Sequence, residues 1–252
     1  MSRKKLVLTA IVLVLVLAIG GILAYFTDVQ TRHNKFKTGM VDVEVDEPSW
    51  PGQPIDNPNY DPTDPNSPEK IDPEVPVVPG QEIPKDPQVV NKGDGKVYAF
   101  VEVTVPVRNV KVGNATNAAP TPLFTLRHIT DSTTNPVTVA DGYNTTDWAL
   151  IKQEPETITS ETTSVKYVFA YGTSSALKAI DGKTVSGNTT TYARTAPVFD
   201  KVKFVDVTET EYSSNSQIQN QSFEVEVKGY GIQIDGLSST TPLTVWTNDV
   251  KK

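Results

Sequence analysis

Apolar and polar residues alternate with a period of two along much of the chain after residue 40. In VYAFVEVTV, residues 97–105, valine or alanine occupies every odd position, and VDVEV at 41–45 has the same period. Successive side chains of a β-strand point to opposite faces of the sheet, so this pattern predicts strands. Further strands are predicted at 107–112, 123–129, 136–139, 147–152, 164–171, 198–207, 222–234 and 243–247. Turn-forming residues separate these runs at spacings near ten residues, which predicts an all-β sandwich or barrel.

The run at 222–234 changes its phase in the middle. Apolar residues occupy odd positions between 223 and 227 but even positions between 230 and 234. A β-bulge or a sharp bend at Gly229 would reconcile the two halves, as where a strand turns a corner between two sheets. This pattern favours a jelly-roll type β-sandwich.

Residues 46–88 interrupt the alternating pattern. Twelve of the 19 prolines lie between Pro48 and Pro87, among Asp and Asn residues. Proline has no N–H to donate to a ladder, and the segment has few apolar residues with which to form a core. We therefore predict a long, weakly ordered Pro- and Asp-rich loop after the first strand. It would be an insertion in a single domain that spans residues 25–252.

The first 24 residues have the order of a secretory signal peptide. Three basic residues at 3–5 precede an apolar run that begins at Leu6 and ends in small residues. Cleavage is predicted after Ala24, so that the mature, secreted chain begins at Tyr25. The apolar run also approaches the ~20 residues that span a membrane, which leaves a retained anchor as the alternative.

Composition narrows the classes of function. The chain has no cysteine, which excludes a disulfide scaffold, a thiol nucleophile and a cysteine-ligated metal. Without the leader it carries 20 basic and 30 acidic residues. Binding to phosphates requires clustered Lys and Arg, so nucleic acid is not expected as a partner.

The sequence shows no recognisable catalytic or cofactor site. The two histidines, His33 and His128, form no H-E-x-x-H pair of the kind that binds zinc on a helix. No G-x-S-x-G motif marks an activated serine. The Asp and Asn residues at 56–66 offer oxygen ligands suited to calcium, but they lack the EF-hand spacing and fit an acidic loop better. We therefore expect no enzyme activity, no metal site and no cofactor.

Two blocks of the sequence resemble the TasA/camelysin family, exported Gram-positive proteins that are processed by a SipW-type signal peptidase. The first block comprises AYFTD at 24–28, Asn34 and Phe36 before Gly39, and the strand at 41–45. The second is PGQEIPKDPQVVNKGDGKVYAFVEVTV at 79–105. The resemblance implies a jelly-roll fold and a subunit of extracellular matrix (biofilm) fibres.

The family resemblance also implies a mechanism of assembly, donor-strand exchange. After cleavage, the extended segment from Tyr25 to about Gly39 would add as a strand to the open sheet edge of the next copy, with Phe26 and Phe36 in pockets that set the register. The expected partners are other copies of the chain and, during export, the signal peptidase. Contact with a membrane is expected only through the leader.

Two other functions remain open at this point. One is a monomeric surface or adhesive β-sandwich that an uncleaved leader anchors to the membrane. The other is a camelysin-like secreted metalloprotease, which the missing zinc motif disfavours.

Overall fold

The computed structural model describes residues 41–52, 55–71, 74–128, 142–209, 218, 221–237 and 239–251, and most of its regular structure consists of short strands. The strands in chain order are β1 (Val43–Asp46), β2 (Ile55–Asp56), β3 (Lys70–Ile71), β4 (Glu82–Pro84), β5 (Gln88–Asn91), β6 (Val97–Val112), β7 (Ala119–Pro122), β8 (Phe124–Arg127), β9 (Trp148–Glu154), β10 (Ser164–Tyr171), β11 (Ala179–Ile180), β12 (Thr184–Ser186), β13 (Thr189–Thr191), β14 (Ala193–Arg194), β15 (Lys201–Phe204), β16 (Val207–Glu209) and β17 (Glu226–Gln233). A short helix, α1 (Pro242–Val245), continues into a π-helical segment at Trp246–Val250.

Two three-stranded sheets lie end to end as the first layer. Their strand orders are β1-β5-β14 and β4-β15-β8. Strand β4 leads into β5 across Lys85–Pro87, and two hydrogen bonds bridge this break: the Lys85 N–H donates to Asp200 O and the Val198 N–H to Pro87 O, both at 3.0 Å. The prolines at both sides of the break interrupt the ladder without separating the two sheets.

The second layer is a seven-stranded sheet around the long strand β6. On its path β11-β6-β10-β9, β10 pairs with β6 from Ser164↔Pro106 to Ala170↔Phe100. Strands β7, β16 and β17 also pair with β6. Apolar side chains from both layers form the main core, and those that β6 contributes on its odd positions are almost completely buried. The predicted all-β sandwich is confirmed.

A second, smaller core lies on the other face of the seven-stranded sheet. Tyr98 and Phe100 of β6 pack there with Val245 and Trp246 of the C-terminal helical segment. The Trp246 ring lies 5.5 Å from the Phe100 ring and 5.1 Å, edge-on, from the Tyr230 ring. The predicted strand at 243–247 is therefore wrong. Pro242 fixes a helical φ at the first position of the helix, where its missing N–H costs nothing, and the amphipathic turn covers an apolar sheet face.

Lys251 fastens the end of the helical segment to this sheet. Its Nζ donates a hydrogen bond of 2.7 Å to the Tyr230 hydroxyl and lies 3.4 Å from the buried Glu102 carboxylate. The hydrogen bond to Tyr230 and the charge of Glu102 raise the pKa of Lys251 above its ordinary value. Partial desolvation lowers this pKa, but by less. Glu102 is also 3.7 Å from Lys166, so this buried acid has two lysine neighbours.

The phase change at Gly229 has a different cause from the predicted bulge. Strand β17 pairs with β6 without interruption, from Glu226↔Thr104 to Gln233↔Val97. A Cβ on Gly229 would lie 2.5 Å from a methyl carbon of Val45, and one on Gly231 would lie 2.5 Å from a methyl carbon of Val43. The prediction of a bulge is therefore wrong. Both faces of β17 are covered, and the two glycines admit β1 against its inner face.

The Pro-rich segment is ordered at its ends, contrary to the prediction for residues 46–88. Its middle forms the small exposed hairpin β2–β3, where Ile55 pairs with Ile71. At its end, however, β4 pairs with β15 and Ile83 is buried. The prediction of a segment without a ladder is therefore wrong at Glu82–Pro84. The residues from Gly39 to Lys252 cluster as one compact unit, and the boundary of the mature domain at residue 25 stays a prediction.

Replacing residues 55–71 by a short Gly-Ser linker should leave the melting temperature within a few degrees of the natural value. The hydrogen bonds of the hairpin are local, such as Asn57 Nδ2 to Pro68 O at 2.9 Å, and closure entropy changes slowly with loop length. By contrast, Ile83→Ala should cost about 2–5 kcal/mol because it opens a cavity in the core. Thermal unfolding of the two variants checks both values, and a large loss on replacing the hairpin would contradict this division of the segment.

Candidate functional site

Four strand edges of the first layer have no strand neighbour among the described residues: the outer edges of β1 and β14 in one sheet and those of β4 and β8 in the other. Strand β1 pairs on one side with β5, and β4 pairs on one side with β15. An open groove with a volume of about 1460 Å³ borders both strands and extends between the two layers. Unpaired strand edges expose N–H and C=O groups that another extended segment can bind.

The groove is lined mainly by apolar side chains of both layers. The first layer contributes Val45, Ile83, Phe124, Val202 and Phe204. The second layer and the segment before β17 contribute Val207, Phe223, Val225 and Val227. Several of these side chains belong to the main core or pack against it. The groove is therefore an accessible extension of the core rather than a separate surface depression.

A strap of residues 74–79, EVPVVP, lies over part of the groove. Val75 and Val77 are half-buried and pack against the core, whereas Glu74, Pro76 and Val78 are exposed. No backbone–backbone hydrogen bond joins residues 74–77 to another described residue. The strap has the alternation of a strand but, within the described part of the chain, no ladder. Val75 and Val77 hold it by packing, and Val78 exchanges two hydrogen bonds with Gln81 at its end.

A largely buried ion pair contributes to the lining of the groove. Lys85 Nζ lies 2.7 Å from Glu47 Oε2, and the two side chains are only 8% and 17% exposed. The ammonium group also lies 4.7 Å from the centre of the Trp50 ring. Next to it, the Ser49 N–H and hydroxyl donate to the two Asp86 carboxylate oxygens at 2.8 and 2.9 Å. These contacts hold residues 47–50, which follow β1, next to the break between β4 and β5.

Asn91 holds β5, the neighbour of the open strand β1, in position. Its side chain is fully buried and donates to Gly95 O at 2.8 Å and to Asp181 O at 3.0 Å. Its Oδ1 accepts a hydrogen bond from the Gly93 N–H at 3.0 Å. A buried amide with all these partners ties the turn after β5 to the turn after β11. These hydrogen bonds give Asn91 and Gly93 of the run VVNKGDG a structural role.

The residues predicted from the sequence as donor segment and cleavage site lie outside the described residues. They are Ala24, Tyr25, Phe26, Asn34, Phe36 and Gly39, and they stay predictions. The groove itself was not predicted. The odd-position apolar residues at 223–227 indicated a buried face, but no pattern in the sequence indicates that this face borders an opening.

Comparison with known proteins identifies one family. Residues 3–66, about a quarter of the chain, match the family described as camelysin metallo-endopeptidase. This match confirms the resemblance predicted from the sequence blocks. No curated protein matches the chain. Among the described residues, no helix is both long and apolar enough to cross a membrane.

The described residues do not fit the metal centre that the family description suggests. Their one histidine, His128, directly follows β8, and its Nδ1 lies 2.5 Å from Asp200 Oδ2. Within these residues, no group of three or more His, Cys, Asp or Glu side chains could hold a metal ion. A catalytic zinc site requires three protein ligands and an open position, so no metal-assisted step is derived from this geometry.

Lys85→Met should destabilise the protein by about 3–5 kcal/mol, because it leaves the Glu47 carboxylate without its cation. The double variant Lys85→Met with Glu47→Leu should recover a large part of that loss, since neither charge then remains in the apolar site. Chemical unfolding of the two single variants and the double variant measures the coupling. Additive losses would show that the two charges do not stabilise each other.

Proposed function

Residues 3–66 belong to the TasA/camelysin family, and from this premise we propose that the protein is an exported structural subunit that polymerises into extracellular matrix fibres. The observation that carries the proposal is the open groove beside the edges of β1 and β4. A monomer that leaves an apolar groove and strand edges accessible offers a site for an added strand.

The segment from Tyr25 to about Gly39 of a second copy is the proposed occupant. It directly precedes β1 in the chain, and signal peptidase cleavage after Ala24 would free its N-terminus. An added strand bonds through its main chain, and the side chains on its inward face fill the groove. Phe26 and Phe36 have the same parity, so both can point inward from one extended strand. Full burial of one phenylalanine contributes about 1.5–3 kcal/mol.

Donation from one copy to the next gives a polymer because the two contact surfaces differ. The donor lies at the N-terminus and the acceptor lies between the layers, so the contact is head-to-tail. A head-to-tail contact that does not close into a ring extends as a filament. The same asymmetry requires an unoccupied acceptor at one end of each filament and an unused donor at the other.

We also propose that the protein is not a peptidase and that it acts outside the cell. The described residues offer no set of three metal ligands, and the leader pattern at residues 1–24 favours export. If the leader is retained instead, the alternative is a monomeric surface or adhesive β-sandwich. N-terminal sequencing distinguishes the two, because secreted fibres should begin with Tyr25-Phe26-Thr27.

Removal of residues 25–39 from the mature protein should abolish fibres in electron micrographs and leave a folded monomer. The core strands among the described residues need no contribution from residues 25–39 in their pairing, so the melting temperature should change little. Phe26→Asp with Phe36→Asp should act similarly, because a buried, unpaired carboxylate is costly. His33→Ala should have almost no effect. Fibres that form at the natural rate without residues 25–39 would contradict donation by this segment.

The acceptor is tested by a charge placed in the groove. Val225→Asp should abolish fibres because Val225 lines the groove, and Val185→Asp, on the exposed β12–β13 hairpin, is the matched control. Neither the truncated chain nor the Val225→Asp chain should polymerise alone. When mixed, the two should form a 1:1 dimer, because the truncated chain supplies the groove and the Val225→Asp chain supplies the donor segment. Size-exclusion chromatography with light scattering measures that dimer, and its absence would contradict the mechanism.

A further inference from the structure

The rim of the groove is acidic. Six carboxylates border it, and Lys85 is the single basic residue among the residues that line it. Four of the six form ion pairs with lysines or arginines of the same chain: Glu44 with Lys92, Asp46 with Arg194, Glu47 with Lys85 and Glu226 with Lys228. The other two, Glu74 and Glu224, are exposed and form no ion pair with a described residue.

The segment at residues 25–39 has the opposite charge. It contains Arg32, Lys35 and Lys37 but one acid, Asp28, for a net charge of +2. The remainder of the mature chain has 17 basic and 29 acidic residues, a net charge of −12. Copies of so acidic a protein repel one another. A basic segment that meets an acidic rim offsets this repulsion at the point of contact.

We propose that charge selects the segment that enters the groove: Lys35 and Lys37 of one copy pair with Glu224 and Glu74 on the rim of the next copy. The proposal rests on the proposed donor-strand function and specifies how the groove recognises its partner. The occupant is thus a basic extended segment of a second copy of this chain.

The parity of the side chains supports this pairing. If Phe36 points into the groove, its neighbours Lys35 and Lys37 point outward, because successive side chains of a strand face opposite ways. Two segments that line the groove have the same arrangement. Val225 and Val75 pack against the core, whereas Glu224 and Glu74 are exposed. An inserted strand with Phe36 towards the core therefore presents its lysines to solvent, as these two segments present their carboxylates.

The same arrangement also fixes the register of the inserted strand. A slip by one residue would turn Lys35 and Lys37 into the apolar groove and Phe36 into solvent. Buried lysines without a partner are far costlier than exposed ones. Opposite charges across strands stabilise a pair only modestly, so the pairs add little affinity. Their larger effect is on the association rate and on the choice of register.

The test uses the dimer of the truncated acceptor and the Val225→Asp donor described above, with association followed by stopped-flow mixing at 50 and 500 mM NaCl. Because salt screens exposed charges beyond about 10 Å at 0.1 M, the natural pair should associate about tenfold more slowly at the higher salt, an order-of-magnitude expectation for steered association. Lys35→Glu with Lys37→Glu in the donor should slow association at 50 mM NaCl by at least a similar factor and reverse the salt dependence, because salt then screens a repulsion.

The decisive experiment exchanges the charges between the donor and the acceptor. An acceptor with Glu74→Lys and Glu224→Lys should associate slowly with the natural donor and at nearly the natural rate with the Lys35→Glu, Lys37→Glu donor. The matched control is an acceptor with Glu156→Lys and Glu161→Lys, two exposed positions outside the groove, which should not restore the rate. A dimer that forms with no response to these changes would overturn the role of charge and leave donor-strand exchange intact. The absence of any dimer would overturn both.

Discussion

Strand β6 is the element on which the rest of the structure depends, because both of its faces are buried from Val97 to Val103. Its odd positions, from Val97 to Val107, pack into the main core, and Tyr98 and Phe100 pack into the second core. A strand buried on both faces must be covered by two separate layers. The first layer covers one face and the C-terminal helical segment the other, with β10 and β17 paired on β6 itself.

The open groove follows from how the first layer is built. Its two sheets meet at Lys85–Pro87, where prolines interrupt the ladder, and β1 spans only the β5 half. The edge of β4 next to this break therefore has no strand neighbour in the described part of the chain. Ile83, Val202 and Phe204 lie buried beside this edge, and the strap at 74–79 and Trp50 pack against the core there. The apolar side chains on the other side of the groove, such as Phe223 and Val225, are only half-buried. Where a sandwich lacks a strand at such an edge, N–H and C=O groups of the edge strand and apolar side chains beside it can bind an added strand.

Much of the fold was predictable because it rests on local alternation. Strand β10 has the predicted bounds, and β6 includes two predicted runs. The prediction was wrong at 243–247, since Val245 and Trp246 suit a strand by composition, and a helix of one turn is too short to show a period. It was also wrong at Gly229. An alternation that shifts its phase can reflect either a bulge or burial on both faces, and only the contact with β1 distinguishes the two.

The sequence alone determined the all-β class, the basic and apolar leader pattern, the acidic balance and the family of residues 3–66, because each depends on composition or on neighbours along the chain. The tertiary structure decided which edges remain open and which residues surround the groove. It also decided that Lys85 pairs with Glu47 and that Val75 and Val77 lie over the core. These features join residues far apart in the chain, such as Val45 and Phe223. Their proximity depends on how the layers pack, and periodicity within one segment carries no information about it.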